Sequence, residues 1–116
     1  MSVNVIARFK ILENQQRLSF ARGLVETVIH SELPQTPNTI LVSLVVLEVG
    51  AAKQSFDASV IAEVAGLPQP TVSRIVSAML QHGWLIEEID PCDRRKRRLS
   101  LGSNLRIFTS DFQSPR

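Results

Sequence analysis

Residues 66–101 read GLPQPTVSRIVSAMLQHGWLIEEIDPCDRRKRRLSL. Gly66-Leu67 makes a tight turn, because glycine takes the left-handed conformation that ends a helix. From about Gln69 to His82, Val72, Ile75, Val76, Met79 and Leu80 recur at helical spacing, with polar residues between them. Gly83 stops that helix. Trp84 to Ile89 reads as a short strand, and Arg98 to Leu101 alternates as its partner. Asp90-Pro91 opens the connection, whose tip carries the consecutive cations Arg94, Arg95, Lys96, Arg97 and Arg98.

Helix, strand, basic tip, strand is the order of a winged helix-turn-helix. The fold class expected is therefore mainly α with a small β-hairpin wing (α+β). In such a fold one helix enters the DNA major groove, and the wing reaches an adjacent minor groove or phosphates. A reading helix needs small polar groups near its N-terminus and an apolar back. Gln69, Thr71, Ser73 and Arg74 supply the first, with the guanidinium of Arg74 suited to guanine or phosphate. Arg94, Arg95, Lys96 and Arg97 are the expected wing contacts, together with Asp93 beside them. Arg98 starts the second strand and is expected to turn away. Ser77 and Gln81 also face outward on the helix, and Trp84 is expected to anchor the wing to the core.

Working outward, Val5 to Ile29 reads as helix on Val5, Phe9, Leu12, Phe20, Leu24 and Val28. The polar stretch 13–17 leaves a kink or a pair of helices open, and Gly23 is a candidate for a close helix crossing. Thr36-Pro37 is a strong start signal: Thr36 caps, and Pro37 fits the first turn, where no backbone donor is needed. Residues 38–49 are apolar on nearly every side, which predicts a buried central helix, followed by a turn from Gly50 to Phe56. Asp57 or Ser55 caps a third helix over about 58–65, with Val60, Ile61, Val64 and Ala65 inward. After the wing, Ser103 caps a short helix from Asn104 to Phe112, and Gln113 to Arg116 is a frayed end. The domain organisation expected is an N-terminal helical segment (1–35) available for dimerisation, a winged helix-turn-helix (36–103), and a short C-terminal helix with tail (104–116).

With 116 residues and 44% hydrophobic content, the chain suits one globular domain. The net charge of +2 is small, so the signal lies in its distribution. Residues 1–50 hold four cations and four anions, residues 51–82 two of each, and residues 83–116 seven and five. A local spike is what a phosphate-contacting loop needs, since counterion release follows local neutralisation. One cysteine, Cys92, excludes an internal disulfide. The sharper reading of Cys92 is a redox switch and the plainer one an exposed thiol without a role; the plainer is preferred. The apolar run Ile40–Val49 is too short to span a bilayer, and the first ten residues lack the order of a signal peptide, so a cytoplasmic location is expected. His30 and His82 have no clustered partners, so no metal is expected. With no nucleophile–base–acid set, phosphate-cradling loop or paired carboxylates, neither an enzyme nor a cofactor is expected.

Residues 36–103 resemble the MarR family of winged-helix transcriptional regulators. The likeness rests on the Thr-Pro start of an apolar helix, the Gly66-Leu67 turn, Thr71-Val72-Ser73-Arg74, the Gly83-Trp84 stop, and Asp93, Arg95, Leu99 and Leu101 in the wing. The resemblance implies a cytoplasmic homodimer on palindromic double-stranded DNA, usually a repressor. It places the helix of Thr71 to Arg74 in the major groove and Arg95 in the minor groove, with Asp93 orienting Arg95. Three departures stand out. Pro68 sits where the family usually has a Ser or Thr cap, with Pro70 following in the first turn, and few residues follow the wing where the family has long dimerising helices. The dimer then uses the N-terminal helix, is weak or does not exist, the first being the expectation, and the loss of a second lobe argues against a small-molecule effector. Two other functions fit the same residues: a plasmid or phage protein that organises or segregates DNA at repeated sites, and a winged-helix adaptor that binds protein without DNA.

Overall fold

The computed structural model describes residues 3–113, with side chains from 14 to 108. The expected inward residues Val5, Phe9 and Leu12 and the end of the tail lie outside the described side chains. The elements are α1 (Val3–Ile29), α2 (Pro37–Ala52), α3 (Ala58–Ala65), α4 (Gln69–Gln81), β1 (Leu85–Ile89), β2 (Arg97–Leu101) and α5 (Ser103–Gln113). β1 and β2 form an antiparallel pair in which Leu85 faces Leu101 and Ile89 faces Arg97. This is the winged helix-turn-helix expected, and α1 runs unbroken through the polar stretch 13–17. Among the described residues, no helix is long and apolar enough to cross a membrane.

The core gathers one stripe from every element: Leu24 and Val28 of α1, Val42 and Val46 of α2, Ile61 of α3, Val72 and Met79 of α4, Leu85, Leu99 and Leu101 of the hairpin, and Leu105 of α5. Trp84 is buried with them, as an anchor beneath the hairpin should be. The Thr36 side chain accepts the Thr39 N–H, and Pro37 fills the first turn of α2. The two buried polar residues of α2 are satisfied: Ser43 Oγ donates to the Thr39 carbonyl at 2.8 Å, and Thr39 meets Thr36 hydroxyl to hydroxyl at 3.1 Å.

Five details depart from the sequence reading. Ser103, expected to cap the last helix, is its first residue, and the Gly102 carbonyl accepts the Leu105 and Arg106 N–H groups. α2 does not turn at Gly50 but continues to Ala52. A Cβ at Gly50 would lie 2.6 Å from the Leu101 side chain, so glycine there serves packing and not a turn. Val64, expected inward, is 52% exposed. The face α3 buries runs through Ile61 and Ala62, and Val64 rolls off its edge. Asp57 is the N-cap of α3 yet makes no side-chain cap bond. Gly23 faces Phe108 across ordinary contact distance, 3.9 Å from its would-be Cβ, so it does not mark a forced close crossing.

Candidate nucleic-acid interface

The reading helix is set by the turns at its ends. Gly66 is left-handed at φ 69°, and its N–H bonds the Ala62 carbonyl at 2.9 Å. Pro68, at φ −61° and ψ 144°, is the N-cap of α4. At the far end Gly83 takes φ 76°, which lets the Trp84 N–H return to the Met79 carbonyl at 2.8 Å. This closure satisfies a helix-end carbonyl and turns the chain straight into β1.

Val72, Ile75, Val76 and Met79 hold α4 on the core. Gln69, Ser73 and Arg74 are exposed on its outer side, and Thr71 lies half-buried at the flank. Ser77 is exposed three residues beyond Arg74 and four beyond Ser73, so it shares their face. The outward place of Ser77 follows from its helical spacing from Ser73 and Arg74. No ion pair among the described residues engages Arg74. Gln69 Nε2 lies 3.5 Å from Ser73 Oγ, a contact too long to hold either side chain firmly.

The two prolines change the head of the helix. Neither Pro68 nor Pro70 has an N–H, and the Thr71 N–H is turned back to the Pro68 carbonyl at 3.1 Å. Among the described groups of that first turn, the Gln69 N–H is left open. A helix head usually presents several donors to a phosphate; this one presents a single backbone donor.

The wing tip is two successive turns. Asp90 heads the first: the Asp93 N–H bonds the Asp90 carbonyl at 3.2 Å, Pro91 sits at the second position, and Asp90 Oδ1 accepts the Cys92 N–H at 2.8 Å. Asp93 heads the second: the Lys96 N–H bonds its carbonyl at 3.0 Å, and its Oδ1 accepts the Arg95 N–H at 3.0 Å. Asp at the head of a turn, bonding the chain two residues on, is the local chemistry that favours this bend. Arg94 and Arg95 thereby occupy the corner of the second turn. The resemblance implies that Asp93 orients Arg95; the contact present is from the Arg95 backbone N–H to the carboxylate, and no ion pair joins the two side chains among the described residues.

The five cations therefore divide. Arg94, Arg95 and Lys96 stand exposed at the tip, and no ion pair among the described residues includes them. Arg97 lies 3.5 Å from Glu87 across the strands, an exposed pair of small energetic weight. Arg98 turns inward, as expected, to Ser55 and Asp57. Cys92 is exposed beside the tip. At the opposite end of α4 from Gln69, a cleft of about 580 Å³ opens between α1 and the α4 terminus, with His30, Glu32, His82 and Trp84 in its wall.

A polar helix face held on an apolar back, followed by a hairpin with a cationic tip, defines a winged-helix protein. The match to known proteins narrows this: residues 38–96 match the model of the MarR family, and the chain belongs to that family. Its fold is shared with MepR of S. aureus in a DNA complex, at 16% identity and TM-score 0.60, covering 93% of this chain and 81% of that one. YusO of Bacillus subtilis matches at 20% identity and TM-score 0.57, covering 96% and 75%. The PcaV transcriptional regulator of Streptomyces coelicolor, solved with its natural ligand, matches at 26% identity and TM-score 0.53 over 82% of this chain; the chain spans 64% of PcaV. No curated protein matches the chain significantly by sequence.

Proposed function

We propose that the chain is a sequence-specific, double-stranded-DNA-binding transcriptional regulator that represses by covering its operator. Gln69, Ser73, Arg74 and, at the flank, Thr71 read the major groove. Arg94, Arg95 and Lys96 contact the minor groove and phosphates, Arg97 flanks them, and Asp93 shapes the turn that presents them. The observation that carries this reading is the wing tip: two aspartate-headed turns that hold out into solvent three cations with no ion pair among the described residues. A planar guanidinium gains from the deepened negative potential of a narrow, A·T-rich minor groove. The DNA complex of MepR, a protein of the same fold, supports the same reading.

The protein acts as a homodimer through α1. Leu18, Val25 and Ile29 share one helical face, which differs from the buried face of Leu24 and Val28, and Leu18 and Ile29 are 69% and 54% exposed. Exposed apolar residues in a line along a helix mark an association face. Two reading helices related by a dyad then meet half-sites about one helical turn apart, roughly 34 Å.

The deciding experiment is fluorescence anisotropy on duplex from upstream of the gene and on mixed-sequence duplex, across a salt series. Tighter upstream binding that survives higher salt is expected. Equal, salt-labile binding to both would replace regulation by DNA organisation, and no binding to either at low salt would leave the protein-adaptor reading.

A further inference from the structure

Arg98 ends the basic run, yet its guanidinium is directed into the protein. Its Nε lies 3.2 Å and one Nη 3.0 Å from Ser55 Oγ; the same Nη donates to the Ser55 carbonyl at 3.3 Å. The other Nη lies 3.5 Å from Asp57 Oδ1, and the Arg98 side chain is 36% exposed against 60% for Arg97. Beside it the backbone is stitched the same way: Phe56 N–H to the Leu99 carbonyl at 2.9 Å, and Leu99 N–H to the Phe56 carbonyl at 2.7 Å. Phe56 itself is buried. Residues 55–57 thus lie along the free edge of β2 and lead directly into α3. Asp57 makes no cap bond of its own, and its carboxylate faces Arg98.

One edge of the hairpin, β1, is tied to α4 by the Gly83 turn. The other edge is tied to the head of α3 by Arg98. We infer that Arg98 is a positioning residue for DNA binding: its fork onto Ser55 and Asp57 fixes the inclination of the wing against the helix pair that carries α4, and it contacts no phosphate. The inference rests on the DNA-binding reading above. A guanidinium suits the task, because its planar fork satisfies a hydroxyl, a carbonyl and a carboxylate at once, and an ammonium does not.

If Arg98 were instead another phosphate contact, the acid beside it would oppose binding. The two roles therefore predict opposite signs for Asp57→Asn, which removes the negative charge and keeps an equally good N-cap residue. Anisotropy of the full chain on upstream and mixed-sequence duplex is the measurement. Asp57→Asn and Ser55→Ala are each expected to weaken binding about tenfold, the weight of one charged hydrogen bond, with the salt slope unchanged. Arg98→Lys is expected to restore only part of the affinity lost in Arg98→Ala. Tighter binding by Asp57→Asn, a slope lowered by about one in Arg98→Ala, or full rescue by lysine overturns the inference. Amide hydrogen exchange on the free protein reads the clamp without DNA: Ser55→Ala should speed exchange at Leu99 and Phe56 while the thermal midpoint stays close to wild type, and unchanged exchange overturns the clamp. A wild type that binds neither duplex overturns the DNA reading and this inference together. Wild-type binding with Ser55→Ala and Asp57→Asn unaffected overturns this inference alone.

Discussion

At the scale of single residues, neighbours in the sequence have different tasks. Arg94 and Arg95 stand at the corner of a turn, Arg97 leans on Glu87, and Arg98 is turned inward. Composition sees one block of charge; the structure sees three environments. Arg95→Ala is accordingly expected to weaken binding to every duplex and to lower the salt slope by about one, because it removes one neutralised phosphate. A slope equal to wild type would remove Arg95 from the interface. Arg74→Ala is expected to act differently, narrowing the gap between upstream and mixed-sequence duplex by about 1–3 kcal/mol if it reads a base. Competition titration measures that gap, and an unchanged gap would relegate Arg74 to the phosphates. The outward places of Gln69, Ser73 and Arg74 followed from helical spacing alone, since Val72, Ile75 and Val76 fix which side is buried. The inward turn of Arg98 toward Ser55 and Asp57 was legible only as a direction. Its partners lie 43 residues away from Arg98 at Ser55, and no local pattern carries that distance.

Among the elements, the glycines separate two kinds of constraint. Gly66 needs a left-handed backbone at φ 69°, but nothing lies within 4 Å of a Cβ placed there. Gly102 has no such backbone demand; a Cβ there would collide with the Gly83 carbonyl oxygen and come within 2.9 Å of the Trp84 carbonyl. Gly102 N–H bonds that same Trp84 carbonyl at 2.8 Å, so the chain after the wing is pressed against the end of α4. Gly66→Ala should cost about 1–2 kcal/mol, the strain of one left-handed residue. Gly102→Ala should cost more than that, beyond the roughly 1–3 kcal/mol of ordinary overpacking, because backbone cannot move aside like a side chain. Urea melts of both variants test the order, and equal losses would refute it. The elements themselves were readable from periodicity, the Thr36-Pro37 start and the glycine stops. The sequence suggests a turn at Gly50, whereas the reason for a glycine there is the side chain of Leu101, on a strand far along the chain. The exposure of Val64 is not legible in the sequence, because so short a helix has too few turns to define its buried face.

For the whole molecule, the proposed homodimer rests on α1. That helix is 27 residues long, about 40 Å at 1.5 Å per residue, and Leu24 and Val28 are its buried side chains among the described residues. The apolar line of Leu18 and Ile29 is expected to be closed by a second copy. Leu18→Glu with Ile29→Glu should move the protein to monomer in sedimentation equilibrium and weaken operator binding, since one half-site remains per molecule. A double variant that sediments as wild type would place the dimer contact elsewhere. The proline-capped head of α4 has a consequence at this scale too. Pro68 and Pro70 remove backbone donors there, so the proposed DNA-binding mode puts grip in the wing and choice in the outward side chains of α4. Such a division of labour makes the protein portable: exchanging Ser73, Arg74 and Ser77 would send it to a different address on the chromosome while its hold on DNA stays as firm as before.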